Sequence, residues 1–140
     1  MNTPLTRPAI AEALSWLDRV QHAGFGSGAL LLDSYGGAIN RVAPDATAFV
    51  HRNALCSGQY LAYPHGPSGA TGAAAWIRGF HAAMRPHVSG FAYQNYIDRD
   101  LAGWQHAYYG ANYERLRHVK RQVDPDFVFR FQQAIEPAVR

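Results

Sequence analysis

The sequence has 140 residues, 48% of them apolar and 16% charged, which is the composition of one globular domain with a core and excludes a disordered segment. The net charge of +3 is too small to indicate nucleic-acid binding by itself, and a single cysteine, Cys56, excludes an internal disulfide. No apolar run approaches a membrane span and the N-terminus lacks a signal-peptide pattern, so we expect a cytoplasmic protein that does not enter a membrane.

The first part of the chain predicts one helix followed by three strands. Thr6 and Pro8 have the residue types of a helix start, and "HAGFGSG" ends that helix. Short β-branched or apolar runs bounded by turn residues predict strands at Ala29 to Gly37, Ala46 to Arg52 and Leu55 to Tyr63. The apolar face of the helix is expected to consist of Ile10, Ala13, Leu14, Leu17 and Val20.

The second part of the chain predicts three further helices. Trp76, Phe80 and Met84 follow each other at helical spacing in a helix that Pro86 stops. A short helix is expected next, capped by Asp98 or Asp100.

That short helix should end at Gly110, which suits a C-terminal cap, and the last helix should be capped by Asn112. Leu116, Val119 and Val123 lie at the spacing of one face of this last helix, and "DPD" ends it. The order of elements predicts an α+β domain, in which helices pack on one face of an antiparallel sheet and a helical segment follows at the C-terminus.

Polar side chains on apolar strands are the first candidates for function. Asp33 follows "LLL" directly, and period-2 alternation puts Ser57 and Gln59 on one face of the third strand. A carboxylate and an amide on a sheet are costly unless they are paired or at an edge. Asp33 either ends its strand and caps the turn before Gly36, or forms the floor of a polar pocket below the segment from Tyr93 to Tyr96.

Other motifs favour structural interpretations. The basic run Arg115 to Arg121 has its apolar residues at helical spacing, so we interpret its basic residues as a solvated helix face. We therefore expect no nucleic-acid binding. The seven histidines form no HxH or HxxxH pair, so no metal site is expected. The glycines of "AGFGSG" follow a helix and not a strand, which disfavours a dinucleotide fingerprint. Cys56 reads as a small buried hydrophobic residue.

Three stretches together resemble the C-terminal part of the berberine-bridge-enzyme-like FAD-linked oxidases, within the vanillyl-alcohol-oxidase superfamily. They are "DSYGGAINRVAPDATAFVHR", "SGQYLAY" and "YQNYIDRDL…W…YYGANYERLRHVKRQVDPDFVF". The resemblance implies that residues 1–90 are part of a substrate-binding domain, that residues 91–140 are the family's terminal segment, and that the N-terminal FAD-binding domain is absent. It implies FAD as cofactor, most of its contacts being in the missing domain, a possible FAD-domain partner chain, and a small-molecule alcohol or sugar as substrate.

The resemblance also implies roles for individual residues. Tyr96 matches a tyrosine that often acts as the catalytic base, and Asp33 is either its anionic neighbour or the final proton acceptor. Tyr93, Gln59 and Ser57 match substrate-binding positions, although plant members commonly carry a long basic residue where this chain has Ser57. Asn95 and Tyr96 match positions beside the flavin ring.

A phenol ordinarily ionises near pH 10, so base catalysis by such a tyrosine needs a nearby cation or hydrogen bonds to the phenolate. The chain alone is expected to be an incomplete FAD-dependent oxidoreductase. The alternative is a non-catalytic module that binds a small ligand or a protein.

Overall fold

The computed structural model describes residues 1–139, and the chain divides into two units. The first unit consists of Met1–Gly36 and Ala54–Ser89, and the second consists of Gly37–Asn53 together with the chain from Gly90 onward. The segment between the two strands of the first unit therefore belongs to the second. The α+β class predicted from the sequence is confirmed.

The first unit packs two helices against a two-stranded antiparallel sheet. Helix α1 spans Arg7–His22, strand β1 spans Gly26–Ser34, strand β2 spans Cys56–Pro64 and helix α3 spans Ala70–Met84. The strands pair so that Leu31 lies opposite Gln59 and Asp33 lies opposite Ser57. Single 3-10 turns, Pro67–Gly69 and Arg85–His87, flank α3.

Helix α1 begins as predicted, but its buried face differs. The Thr6 hydroxyl accepts a hydrogen bond from the Ala9 amide, which satisfies one of the free donors of the first turn. Ile10 and Leu14, predicted as core, are exposed, Leu14 by 60%. The Trp16 ring stacks on Phe80 with 5.9 Å between centroids, so the helix presents that side to the core instead. The residues of α1 that are buried are Ala9, Ala13 and Val20.

The core of the first unit is built on α3, on the three residues that the sequence places at helical spacing. Trp76, Phe80 and Met84 are buried at successive turns of this helix. Tyr60 packs its ring edge-on against Phe80 with 4.9 Å between centroids. Gly28 on β1 has no room for a side chain, because a Cβ there would lie 2.6 Å from the Trp76 ring. Leu30, Tyr60 and Ala62 pack against this core from one face of the sheet, while their neighbours in the strands point to the other.

The sheet has two strands, not the three predicted. The predicted third strand is observed, shifted by one residue, and β1 begins and ends about three residues earlier than expected. The predicted strand from Ala46 to Arg52 is wrong. There the Arg52 side chain donates to the carbonyls of Phe49 and Ile39 and to the Thr47 hydroxyl. Such local side-chain bonds compete with a ladder and leave the segment as a folded loop.

The second unit consists of that loop, three helices and an irregular tail. Helix α2 spans Ala38–Arg41, α4 spans Trp104–Tyr109 and α5 spans Tyr113–Val123, with a 3-10 turn at Gly110–Asn112 between the last two. Gly110 follows α4 with φ of 51°, as its predicted capping position requires.

The predicted cap of α4 is wrong, and Asn112 takes the predicted N-cap position of α5 without a capping hydrogen bond from its side chain. Helix α4 begins after Gly103, and the Asp98 carboxylate accepts instead from the Asp100 amide in a local turn. Asn112 precedes α5, but its amide donates to the carbonyls of Pro44 at 2.7 Å and Thr47 at 3.0 Å. The need of these two distant carbonyls for a hydrogen-bond donor therefore outweighs the local capping role of Asn112.

Basic residues of α5 bind the C-terminal tail, which the sequence does not indicate. Val119 and Val123 are exposed, Val123 by 74%, so no buried stripe forms on this helix. Lys120 and Arg121 donate to the carbonyls of Phe129 and Ala138 in the tail. The basic run thus holds the tail against the helix in addition to facing solvent.

Asp124 ends α5 as predicted and anchors the turn after it. Its carboxylate pairs with Lys120 and accepts from the amides of Val128 and Phe129. The hydrogen bond from Lys120, aided by these amides, lowers the pKa of the Asp124 carboxyl from its ordinary value. Asp124, the residue that ends the helix, is therefore an anion that accepts hydrogen bonds from several donors.

Phe80→Ala should lower the free energy of unfolding by about 3–5 kcal/mol, because it empties the centre of the first unit. Urea denaturation followed by circular dichroism measures this. The same substitution at Phe129, which is 76% exposed, should cost about 0.5 kcal/mol or less. Equal losses in the two variants would contradict the core assignment.

Asn112→Ala should cost about 1–3 kcal/mol of unfolding free energy, since two carbonyls of the 37–53 loop lose their donor. The matched control is Asn53→Ala, because Asn53 is exposed and should tolerate the change within about 0.5 kcal/mol. If the two variants unfold at the same urea concentration, the long-range role of Asn112 is wrong.

Candidate functional site

The first group of predicted site residues lies on the sheet of the first unit. Gln59 Nε2 donates to Asp33 Oδ2 at 2.8 Å, and Ser57 lies opposite Asp33 across the strands. Asp33 is inside β1, with Ser34 after it, so the structure agrees with a polar patch on the sheet and not with a turn cap. The antiparallel register brings Asp33, Gln59 and Ser57 together on the face opposite the core.

This polar patch is bounded by an apolar residue and retains free acceptors. Leu31 lies directly opposite Gln59 and is exposed. The bond between Gln59 and Asp33 uses one carboxylate oxygen, so Asp33 Oδ1 and Gln59 Oε1 have no partner among residues 1–139. Both atoms can accept hydrogen bonds from a hydroxyl or amine.

The second group of predicted site residues forms a surface cluster in the second unit. Asn95 Nδ2 donates to Tyr93 Oη at 2.8 Å, and the Tyr96 amide donates to the Tyr93 carbonyl at 3.1 Å, which closes a tight turn. The rings of Tyr93 and Tyr96 meet at 65° with 5.7 Å between centroids. Tyr96 is 62% exposed, and its hydroxyl has no hydrogen-bond partner in the described part of the chain. We call these three residues the tyrosine cluster.

An aromatic group that includes a histidine supports the tyrosine cluster. The His51 ring packs edge-on against Phe49, Phe91 and Tyr93, with 5.1 to 6.5 Å between centroids. Its Nε2 is buried without a hydrogen-bond partner. Burial lowers the pKa of the His51 imidazole below 6.5, and a hydrogen bond with the Ala92 backbone acts in the opposite direction.

His51 was not among the residues predicted for the site. The sequence signal for it is the "FVHR" stretch, where the histidine stands two residues after Phe49.

Two buried side chains fix the backbone just after the tyrosine cluster. Tyr108 Oη accepts from the Asp98 amide at 2.9 Å and donates to the Asp98 carbonyl at 3.5 Å. Gln133 Nε2 donates to the same carbonyl at 2.8 Å. Burial raises the pKa of the Tyr108 phenol, which keeps this hydroxyl protonated as a donor. Neither Tyr108 nor Gln133 was among the residues predicted for the site.

Neither a metal centre nor a membrane helix is present in the described structure. Within residues 1–139, histidine, cysteine and carboxylate side chains form no group of three or more that could hold a metal ion. No helix in this range is both long and apolar enough to cross a bilayer. Cys56 is a half-buried free thiol at the start of β2.

The chain is similar to flavin-linked oxidoreductases over nearly its whole length. The family described as "Berberine and berberine like" matches residues 92–136. The FAD-linked oxidoreductase YgaK of Bacillus subtilis (strain 168), named as uncharacterized, is 37% identical over 137 residues, covering 98% of this chain and 30% of YgaK.

Solved structures of similar proteins share the fold. The glycopeptide hexose oxidase DBV29, complexed with teicoplanin, superposes with a TM-score of 0.88 at 30% identity, covering 97% of this chain and 30% of that one. The berberine bridge enzyme of Eschscholzia californica superposes with a TM-score of 0.87 at 26% identity, covering 100% of this chain and 32% of that one.

These similarities define a class of protein, the FAD-linked oxidoreductases. Within that class, the chain belongs to the berberine-bridge-enzyme-like family. It spans about a third of the length of the relatives it matches.

Acidification should destabilise the protein partly through His51. The folded state holds this imidazole with a lowered pKa, so the stability it contributes is present above pH 6.5 and is lost as pH falls below that value. The melting temperature of His51→Gln should therefore fall less than that of the parent when the pH is lowered from about 7.5 to about 5.5.

Differential scanning fluorimetry at the two pH values measures the effect. His118→Gln is the matched control, because His118 is exposed on α5 and should leave the acid-induced loss as in the parent. An unchanged loss in the His51 variant would contradict the assignment.

Proposed function

We propose that this chain supplies substrate-binding and proton-accepting groups to an FAD-dependent oxidoreductase that oxidises an alcohol or sugar-type substrate. The observation that carries this proposal is the exposed, unpartnered hydroxyl of Tyr96 within the tyrosine cluster. The printed names of similar proteins support it, since they include an FAD-linked oxidoreductase and a hexose oxidase.

The residues present suit the ring of a flavin better than its phosphates. The amide of Asn95 and the phenol of Tyr96 are exposed, and they offer hydrogen-bonding groups and an aromatic surface of the kind a flavin ring accepts. At the glycine-rich connection between β2 and α3, Gly69 packs closely on Phe25, because a Cβ there would lie 2.4 Å from the Phe25 carbonyl oxygen. Close packing of this glycine is a different use from a phosphate cradle.

Proton transfer is assigned to the second unit. When bound, FAD supplies the hydride acceptor. We assign Tyr96 as the group that accepts the proton of the substrate hydroxyl, at Oη. The Asn95 amide holds the Tyr93 hydroxyl, which fixes the edge of the cluster beside Tyr96. Asn95 and Tyr96 are the residues we assign to contact with the flavin ring, and Tyr93 is assigned to the substrate.

Recognition of hydroxyl groups is assigned to the polar patch of the first unit. Asp33 Oδ1 and Gln59 Oε1 accept from substrate hydroxyls, and Ser57 adds a donor and acceptor beside them. Leu31 beside Gln59 gives this patch an apolar border, which limits the number of hydroxyls bound there.

Flavin titration tests the cofactor assignment. Quenching of flavin fluorescence by the purified chain should give dissociation constants for FAD and riboflavin that agree within about threefold, because ring contacts dominate here. Tyr96→Ala should weaken both by about tenfold through loss of the ring contact, whereas Phe129→Ala, which removes a more exposed aromatic ring, should change neither. Binding of FAD about a hundredfold tighter than riboflavin would contradict the absence of a phosphate site.

Reconstitution tests the chemistry. The chain is co-expressed with the part of YgaK that the similarity does not cover, and loss of oxidised-flavin absorbance is followed with hexoses, oligosaccharides and benzylic alcohols. Tyr96→Phe should keep flavin binding and slow reduction by about 100-fold or more. An assembly that binds flavin but is reduced by none of these compounds would favour a non-catalytic binding module.

A further inference from the structure

The outer edge of strand β1 carries a row of free backbone groups. The Tyr35 amide donates to the Leu55 carbonyl, and the His65 amide donates to the Phe25 carbonyl. In this register the odd-numbered residues of β1 bond to β2, so the even-numbered ones direct their amides and carbonyls away from it. These outward-facing residues are Gly26, Gly28, Leu30, Leu32 and Ser34. No hydrogen bond engages their backbone groups within residues 1–139.

The outer edge of β2 is protected in two places where that of β1 is open. At its start, the Cys56 amide donates to the Met1 carbonyl, and the Met1 amino group donates to the Cys56 carbonyl. At its end, the outward position is Pro64, which has no amide hydrogen. Strand β1 contains no proline and no lysine, and its one charged residue, Asp33, is bonded to Gln59. An edge without such protection is the one that accepts another strand.

An apolar flank of α1 lies above the same edge. The Trp16 ring stacks on Phe80 of α3, so this side of α1 faces α3. Because α1 packs on β1 and α3 packs on β2, the opposite flank of α1 faces the outer edge of β1. Ile10 and Leu14 lie on that flank and are 45% and 60% exposed. The exposed apolar surface of the helix is therefore continuous with the free strand edge.

We propose that two copies of this chain pair along β1, antiparallel to each other, across a two-fold axis through Leu30. The two sheets then form one sheet of four strands, and the α1 flanks with Ile10 and Leu14 meet in the helical layer. A two-stranded sheet is marginal by itself, whereas four strands with one apolar face are not. The proposal is independent of the oxidoreductase function, because the polar patch lies on the opposite face of the sheet.

This register makes β1 complementary to itself. Leu30 lies opposite Leu30, and Leu32 of one copy lies opposite Gly28 of the other. Gly28 has no room for a side chain of its own, because a Cβ there would lie 2.6 Å from the Trp76 ring. Leu32 is half exposed and covers this position in the other copy. Each Asp33 lies opposite the uncharged Ser27 of the other copy, so the two carboxylates stay apart.

Sedimentation equilibrium and hydrogen exchange test the pairing. Between about 1 and about 500 μM the 140-residue chain should pass from monomer to dimer, with a dissociation constant of about 10 μM. The amides of Gly28, Leu30 and Leu32 should exchange at least about tenfold more slowly at the high concentration. Those of Tyr60 and Ala62, which face outward on β2, should exchange at the same rate at both concentrations.

Lysine substitutions test the two parts of the interface. Leu32→Lys should raise the dissociation constant at least about tenfold, and Leu14→Lys at least about fivefold, because each brings a charge into the apolar contact. Leu55→Lys and Val123→Lys are the matched controls, since both residues are exposed and lie outside β1 and α1. They should dimerise as the parent does. Unchanged far-ultraviolet circular dichroism at low concentration separates loss of pairing from loss of fold.

Four results would overturn the proposal. They are a chain that stays monomeric up to about 500 μM, a Leu32→Lys variant that dimerises like the parent, growth beyond the dimer into open-ended assemblies, and protection of the Tyr60 and Ala62 amides instead of those of β1. Protection of the β1 amides only in the presence of the co-expressed part of YgaK would also overturn it, because the edge would then belong to a partner chain.

Discussion

The second unit depends on how one peptide, that of Asp98, is held. Its amide and carbonyl are bound by the buried hydroxyl of Tyr108, and the carbonyl also accepts from the buried amide of Gln133. The side chains of Tyr108 and Gln133 are buried, so their polar groups must keep these partners, and the backbone there has little freedom. Tyr96 lies two residues before this point. The position of the tyrosine cluster therefore depends in part on two side chains that lie 10 and 35 positions further along the chain than Asp98.

The first unit shows a comparable dependence on strand register. One face of the two-stranded sheet packs on α1 and α3, and the other carries Asp33, Ser57 and Gln59. A shift of one residue in the pairing would exchange these faces and bury the carboxylate in the apolar core. Burial of Leu30 and Tyr60 therefore also fixes the position of the polar patch.

Long-range hydrogen bonds define the 37–53 loop more than its own propensity does. Residues Ala46 to Arg52 have β-branched and aromatic side chains that favour a strand, yet the segment has no strand partner in the structure. Carbonyls of the 37–53 loop accept hydrogen bonds from Asn112 and Arg115, which lie about seventy positions away. Another accepts from Arg52, within the loop. A residue at the start of a helix was thus recruited for a tertiary contact, and its local capping preference was overridden.

The sequence by itself determined the features that depend on short-range pattern. Helical spacing placed Trp76, Phe80 and Met84 in one helix at successive turns, alternation identified the faces of β2, and glycine marked the end of α4. It also carried the family resemblance and the residues of the tyrosine cluster. Only the tertiary structure decided the hydrogen bonds of Asn112 and the lack of a hydrogen-bond partner for His51 Nε2 among residues 1–139. Whether a buried polar atom finds a partner depends on side chains distant in sequence, and neither local propensity nor periodicity contains that information.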